Sequence, residues 1–271
     1  MATAADIPIQ ALRVVHEDLA ARVNSYADAD LGRPSGAAEW TVAQVLSHLG
    51  SGAEISLAGL AAARGGAPAP EQSFSQSVWD RWNAMTPRQQ ADECVSGDAT
   101  LVAAFEALDG ATRSSLRLKL GFLPEPIGAD LLAALRLNET TLHGWDVAVA
   151  DDPAATLDPA AVPVLLDALT GPLSSFLGFL GRGAAAAAVL DVHAVDPDRR
   201  LTLRVDDGVS LQPSESAESS GSTGSDATLT LPAEALLRLM TGRLDPDHTP
   251  VGVSTTGAAD LAALRAAFPG F

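Results

Sequence analysis

The stretch from Asn138 to Asp146 reads NETTLHGWD and interrupts a run rich in alanine and leucine. An α-helix repeats about every 3.6 residues, so positions i and i+4 lie on the same face. Glu139 and His143 are therefore predicted to point the same way, and Asp146 joins that face two turns after Glu139. A carboxylate inside an apolar stripe loses its hydration unless it is paired or bound to a metal. This helix is thus a candidate carrier of ligands.

A second segment, residues 39–49 with the sequence EWTVAQVLSHL, places another histidine on an apolar helix face. Thr41 followed by Gln44 fits a capping box, in which each side chain bonds the free backbone N–H of the other residue. His48 lies two turns into the helix that this box begins. Two inward histidines and one glutamate can hold a metal, but Glu-x-x-x-His on a helix is also a common chance pattern. Spacing alone leaves both interpretations open.

The composition excludes several classes of function. The chain has 271 residues, with 17 Lys and Arg against 34 Asp and Glu, and a formal charge of −17. Nucleic acids and anionic membranes are bound by basic surfaces, so we expect neither as a partner. No uncharged apolar run reaches the ~18–20 residues that span a bilayer, and the N-terminus lacks a basic region followed by an apolar one. We therefore expect a cytoplasmic protein, as a monomer or a homodimer.

Cys94 is the only cysteine, which excludes an internal disulfide and a cysteine-based zinc site. Because no histidine is close to it in the sequence, we expect a semi-buried apolar side chain and no nucleophile. The other three histidines, His16, His193 and His248, have no partner pattern and are predicted to lie at the surface.

Helical periodicity predicts a bundle in the first part of the chain. The Thr86-Pro87 pair has the N-cap and first-position proline that helices favour. The predicted helices cover residues 7–23, 42–63, 74–85, 87–108 with a break near Gly97, 130–150 and 158–180.

Beyond residue 183 the apolar period changes from helical to alternating, which is typical of strands. Strands are predicted at residues 191–195, 201–205, 228–231 and 251–253, with helices over 233–243 and after Asp260. The predicted fold class is therefore α+β. Residues 212–227 are rich in serine, glycine and acidic residues, and we expect a flexible loop there.

Both histidine segments together resemble the mycothiol-dependent maleylpyruvate isomerase family. EWTVAQVLSHL is followed about ninety residues later by ETTLHGWDVAVA, and the C-terminal segments LTLPAEALLRLMTGR and LAALRAAFPGF resemble the small domain of the same family. The resemblance implies a DinB-like four-helix bundle that binds metal over residues 1–182. It also implies a small α/β, SCP2-like domain over residues 183–271.

The resemblance further implies that His48, Glu139 and His143 hold a divalent metal, with zinc as the expected ion. Three protein ligands leave one coordination position open, as a catalytic site needs. Asp146 is then expected to accept the second ring N–H of His143, as partners of ligating histidines do.

Two arginines, Arg81 and Arg243, are the candidate catalytic residues that the resemblance suggests. A planar guanidinium can hold a carboxylate by two parallel hydrogen bonds, which suits a contact with substrate or cofactor. No residue is assigned to binding of the thiol cofactor.

The implied reaction uses a small thiol, mycothiol, because the chain offers no placed cysteine of its own. A metal-bound thiol has a lowered pKa and can attack an electrophilic small molecule. The outcome is cis–trans isomerisation of a maleylpyruvate-type substrate, or S-transfer. Two alternatives stay open. One is a non-heme iron oxygenase with the same two histidines and carboxylate, and the other is a binding module in which a metal only stabilises the bundle or is absent.

Overall fold

The structure is a computed structural model that describes residues 3–65, 70–120, 125–183, 187–206, 208–214 and 225–270. Its contacts divide the chain into two compact units, Met1–Ala155 and Thr156–Phe271. The first unit is helical, and the second contains a mixed sheet with helices. The predicted α+β class is therefore confirmed.

The first unit is built around four long helices that contact one another in a closed ring. The helix α1 contacts α5 and α7, and α3 also contacts α5 and α7. The helices of this unit are α1 (Asp6–Ser25), α2 (Asp28–Leu31), α3 (Val42–Ala63), α4 (Gln72–Asn83), α5 (Pro87–Glu106), α6 (Gly110–Ser115) and α7 (Ala129–Ala148).

Local capping determines where α3 and α5 begin. Thr41 Oγ1 accepts the backbone N–H of Gln44, and the Gln44 side chain accepts the backbone N–H of Thr41, so the predicted capping box is confirmed. Thr86 caps α5 in the same way, with Pro87 at the first position. The predicted break near Gly97 is wrong, because α5 continues through it without interruption. A single glycine weakens a helix but leaves its hydrogen bonds intact.

The bundle core is aliphatic, with one close approach that requires glycine. A Cβ at Gly50 on α3 would overlap the indole of Trp82 on α4, so only glycine lets this ring pack against the helix. The buried residues of the core cluster are Leu19, Val23, Leu31, Val42, Ala43, Val45, Leu46, Leu49, Val78, Trp82, Ala91, Cys94 and Val147.

The second unit begins with helices and then forms a five-stranded sheet in the order β3-β2-β1-β4-β5. The pair of β1 and β4 is parallel, and the other pairs are antiparallel. Its elements are α8 (Val162–Leu169), a 3-10 turn (Ser174–Phe176), α9 (Leu177–Leu180), β1 (Ala188–Val195), β2 (Arg199–Val205), β3 (Val209–Pro213), β4 (Ala227–Pro232), α10 (Ala233–Met240), β5 (Ser254–Gly257) and α11 (Leu261–Ala267).

The single helix predicted over residues 158–180 is wrong. The chain forms α8, a 3-10 turn and α9 instead, because Gly171 and Pro172 interrupt the helical bonds. In addition, α8 packs against α10. By contacts, these helices group with the second unit, which begins at Thr156.

Two strands differ from the prediction. Val251 and Val253 are not in a strand, since Gly252 has a φ of 95° and turns the chain; the strand β5 begins one residue later. The strand β3, which pairs with β2, was not predicted. Asp260 caps α11 as predicted. Of the predicted flexible loop at 212–227, residues 215–224 lie outside the described residues.

No single helix in the described part of the chain is long and apolar enough to cross a membrane. One bent pair, Val162–Leu169 with Ser174–Leu180, reaches the required length and composition only when both members are taken together, and the two are bent by 78°.

Candidate metal centre

Three side chains from two helices converge within the bundle. His48 Nε2 lies 3.1 Å from Glu139 Oε2, and His143 Nε2 lies 3.8 Å from the same oxygen. One ligand atom from each of the three residues lies within 4.8 Å of the others. Ligand atoms around a zinc ion with ~2 Å bonds and tetrahedral angles stand ~3.3 Å apart. The donor set and its spacing therefore fit a metal of this kind.

Helix geometry and bundle packing together produce this convergence. Glu139 and His143 are one turn apart on α7, and His48 lies two turns into α3, whose start the capping box determines. Because α3 packs against α7, the two ligand-bearing faces meet. The imidazole rings of His48 and His143 lie 4.7 Å apart between centroids, in an edge-to-face arrangement.

The cluster has one open edge, formed by His48 and Glu139. Their side chains are 40% and 41% exposed, whereas His143 is buried. A metal held here by three protein ligands would keep a position that an external molecule can reach. Catalytic zinc sites keep such a position, whereas structural sites are closed by four protein ligands.

Asp146 orients His143 from behind. Its Oδ2 accepts the Nδ1–H of His143 at 2.8 Å, and the carboxylate is fully buried. With the carboxylate as acceptor, the ring proton is placed on Nδ1, and the lone pair of Nε2 is directed toward Glu139. Partners of ligating histidines have this geometry, and the role of Asp146 behind a metal ligand stays a prediction.

The electrostatics of the cluster favour an ionised carboxylate. Partial burial raises the pKa of Glu139, but the hydrogen bond from His48 and the electrostatic attraction of the neighbouring His143, His48 and Arg136 side chains outweigh it and lower the pKa to about 2. Glu139 is therefore an anion throughout the neutral range, which is the form that binds a metal.

A buried ion network lies one turn below Glu139 on α7. Arg136 donates from Nε and Nη2 to Asp98 Oδ1, at 3.2 and 2.8 Å, and from Nη2 to the carbonyl of Leu49. His16 Nδ1 lies 3.0 Å from Asp98 Oδ2. Burial raises the pKa of Asp98, but Arg136 and His16 outweigh it and lower the pKa below its usual value. The surface position predicted for His16 is wrong, because His16 lies on the apolar stripe of α1.

Cys94 is fully buried in the bundle core. Desolvation, together with the charge of Asp98, raises the pKa of its thiol far above the usual range, so the group stays protonated at neutral pH. Only the thiolate is a good nucleophile. The chain's own sulfur is therefore unsuited to catalysis, as predicted.

Sequence comparison identifies both halves of the chain. Residues 12–148 match the "Mycothiol maleylpyruvate isomerase N-terminal domain", and residues 166–264 match the "MDMPI C-terminal domain". The chain belongs to the mycothiol-dependent maleylpyruvate isomerase family. The resemblance found in the sequence is thereby confirmed, and it extends over both domains of the family. No curated protein matches the chain significantly.

Two solved structures share the fold of this family member over nearly its whole length. A crystal structure of a mycothiol-dependent maleylpyruvate isomerase has a TM-score of 0.66 and 13% identity, covering 96% of this chain and 98% of that chain. A histidine-to-alanine variant of a mycothiol-dependent maleylpyruvate isomerase has a TM-score of 0.65 and 14% identity at the same coverage. At this identity the likeness shows a common fold.

Each of the two predicted catalytic arginines of this maleylpyruvate isomerase family member has a hydrogen-bond partner within its own unit. Arg81 on α4 is half-exposed and forms an ion pair with Glu54 of α3. Arg243 belongs to the second unit, where it is buried and donates to the carbonyl of Thr241 at 3.1 Å. Their roles in binding carboxylates stay predictions.

Sequence reasoning missed two residues beside the cluster. Arg136, three positions before Glu139, carried the same helical spacing as the ligands but was not considered. Trp40 directly precedes the capping residue Thr41, and its indole lies against both imidazoles. The one sequence signal for Trp40 is its position just before the helix that carries His48.

Proposed function

We propose that this protein is a metal-dependent enzyme that uses mycothiol to transform a small electrophilic molecule. The observation that carries the proposal is the convergence of His48, Glu139 and His143 at a half-open edge of the bundle. Membership of the mycothiol-dependent maleylpyruvate isomerase family supports it.

The chain's residues have distinct tasks in this proposal. His48, Glu139 and His143 would hold a divalent ion such as zinc, which supplies Lewis acidity that lowers the pKa of a thiol. Asp146 keeps the lone pair of His143 Nε2 directed at the site. Glu139 contributes a negative charge, so two neutral imidazoles and one carboxylate leave a divalent site with net positive charge. Such a site attracts an anionic sulfur or a carboxylate.

The need for an external thiol follows from Cys94. Its side chain is fully buried, and its raised pKa keeps it protonated. Mycothiol would supply the nucleophilic sulfur that the chain lacks. The partners of the protein are thus a low-molecular-weight thiol and a small electrophile.

Two reaction outcomes are compatible with this site, and the fate of the thiol distinguishes them. Isomerisation of a maleylpyruvate-type cis double bond returns the thiol unchanged, whereas S-transfer consumes one thiol for each product. The family supports isomerisation as the first activity to measure. Quantifying free thiol during turnover assigns the reaction.

The test combines metal analysis with a thiol-dependence assay. We expect close to one divalent ion per chain and turnover of maleylpyruvate only when mycothiol is added. Glu139→Gln should lose both metal and activity. Glu106→Gln is the matched control, because its side chain is 42% exposed, like that of Glu139, but it pairs with Arg13 on the bundle surface. This control should keep the metal and the activity.

Three outcomes would contradict the proposal. Turnover that is equal with and without mycothiol would remove the thiol step. Turnover that requires dioxygen and ferrous iron would favour an oxygenase with the same ligands. A protein that takes up no metal at neutral pH would favour a binding module.

A further inference from the structure

Trp40 lies against both histidines of the metal centre. Its ring centroid is 5.4 Å from that of His48 and 6.3 Å from that of His143, with the second pair inclined by only 22°. Nevertheless Trp40 is 39% exposed. Large aromatic side chains are usually buried on average, so an exposed indole beside a polar cluster is informative.

The position of Trp40 is set by α7, the helix that carries two of the ligands. We call residues 33–40 the rim loop. Gly36 N–H donates to the carbonyl of Asp146 at 2.8 Å, and a Cβ at Gly36 would lie 3.0 Å from Asp146 Cα. Within the loop, Ser35 donates to the carbonyl of Trp40 from its backbone N–H and from its hydroxyl, both at 2.9 Å. These backbone contacts join the rim loop, which carries Trp40, to the same residue that orients His143.

The residue before the indole has an unusual backbone. Glu39 has a φ of 65°, a left-handed conformation that residues other than glycine rarely adopt. Strained residues of this kind cluster at sites that bind ligands, where the surrounding structure holds them in place. Here the strained residue directs the chain into Trp40 and then into the capping box of α3.

The open edge of the cluster lies within reach of the indole. His48 and Glu139 form that edge, and the indole is next to His48. A ligand that occupies the open position with one atom and extends by four or five bonded atoms covers about 6 Å, at ~1.5 Å for each bond. Such a ligand contacts Trp40 if it extends toward the rim loop.

We propose that Trp40 is a specificity-determining residue, an apolar wall on which the planar, unsaturated carbon skeleton of the substrate stacks. This inference rests on the proposed function, in which the substrate is an electrophile with a conjugated carbon–carbon double bond. Flat π systems bind aromatic faces by offset stacking, which a saturated, non-planar chain of the same charge cannot reproduce. Trp40 therefore selects for unsaturation; in the absence of thiol, the open position of the metal centre can hold a carboxylate of a probe.

The test uses binding of fumarate and succinate to the metal-loaded full chain without thiol, measured by calorimetry. Both probes carry two carboxylates of the same charge, but only fumarate is planar and unsaturated. We expect fumarate to bind about two- to tenfold more tightly than succinate, from the usual strength of aromatic stacking. Trp40→Ala should bring this ratio close to one, and Trp40→Phe should give an intermediate ratio.

Trp79→Phe is the matched control, because Trp79 is 43% exposed and lies on α4. It should keep the ratio of the unaltered protein. Metal content and the thermal midpoint are measured for each variant, so a loss of fold is recognised. If Trp40→Ala loses the metal, the test uses Trp40→Phe, which retains an aromatic ring. The ratio of fumarate to succinate affinity in that variant then decides whether the indole recognises unsaturation.

Several results would overturn the inference. An unchanged ratio in Trp40→Ala, or equal weakening of both probes, would show that the indole does not recognise unsaturation. Loss of metal in both Trp40 variants would mean that the indole holds the imidazoles of His48 and His143 in place and does not bind substrate. If the Trp40 variants bind mycothiol more weakly but keep the ratio of fumarate to succinate affinity, Trp40 contacts the thiol and not the substrate. Because the probes are tested without thiol, a protein that lacks thiol-dependent turnover can still show the selectivity.

Discussion

Replacing Asp146 tests how the chain tunes its metal ligands. The carboxylate is fully buried, and Oδ2 accepts the Nδ1–H of His143 at 2.8 Å. Asp146→Ala removes this acceptor, so His143 loses both its orientation and part of its basicity. The main-chain bond from Gly36 to the carbonyl of Asp146 does not involve the side chain and is expected to remain.

The size of the effect follows from the bond that is lost. Removing the partner of a ligating histidine costs ~10–100-fold in metal affinity. This equals ~1.4–2.7 kcal/mol at 1.36 kcal/mol for each factor of ten. A hydrogen bond to a charged group is independently worth ~1.5–3 kcal/mol, so the two estimates agree. Asp146→Asn keeps an acceptor oxygen without the charge and should fall at the lower end.

The assay is competition for zinc against a chromophoric chelator at pH 7.5, with thermal unfolding as the check on folding. Asp245→Ala is the matched control, because Asp245 Oδ2 lies 2.7 Å from His248 Nδ1 with the same three-residue separation. Within the described part of the chain, that pair is separate from the His48, Glu139 and His143 group. Breaking it should leave zinc affinity unchanged.

A folded Asp146→Ala variant whose zinc affinity is within twofold of that of the unaltered protein would refute this role of Asp146. It is also refuted if Asp245→Ala weakens zinc as much as Asp146→Ala does, since the loss would then not depend on contact with a ligand.

Three further predictions concern the bundle. Gly50→Ala should lower the free energy of unfolding, measured by urea denaturation, by more than ~2 kcal/mol, since its Cβ overlaps Trp82. Gly97→Ala, whose Cβ has nothing within 4 Å, should raise the free energy of unfolding by ~0.5–1 kcal/mol. Because folding lowers the pKa of Asp98 below 3.8, its ionisation stabilises the fold above that pH and the effect is lost on acidification. Asp98→Asn should therefore flatten the pH dependence of unfolding below pH ~4, and a slope as steep as before would contradict this. Cys94→Ser should change turnover by less than ~2-fold in a steady-state assay, because a buried protonated thiol takes no part in the reaction.

Helix positions in the first unit were predictable because their signals are local. The capping boxes at Thr41 and Thr86 satisfy backbone N–H groups through residues three positions away, so the sequence contains all the partners. The signal for the break between α8 and α9 was equally local, at Gly171 and Pro172. It was overlooked because the aliphatic residues on both sides follow helical spacing.

The sheet was less predictable because strands depend on partners far away in the sequence. The strand β5 is a short edge strand that pairs only with β4, and its residues Ser254–Gly257 show no apolar alternation. The strand β3 was missed since only Leu211 in it is fully buried. In contrast, the alternating residues of β2 bury one full face, and that pattern was readable.

For the candidate site, the sequence by itself determined that Glu139, His143 and Asp146 share one face of a helix, because the 3.6-residue period is a property of the backbone. Only the tertiary structure decided that His48 of α3 meets Glu139 and His143, that the indole of Trp40 lies beside both imidazoles, and that Arg136 is engaged by Asp98. These contacts join residues far apart in the chain. They depend on how the apolar faces of separate helices pack, and no local spacing encodes that arrangement.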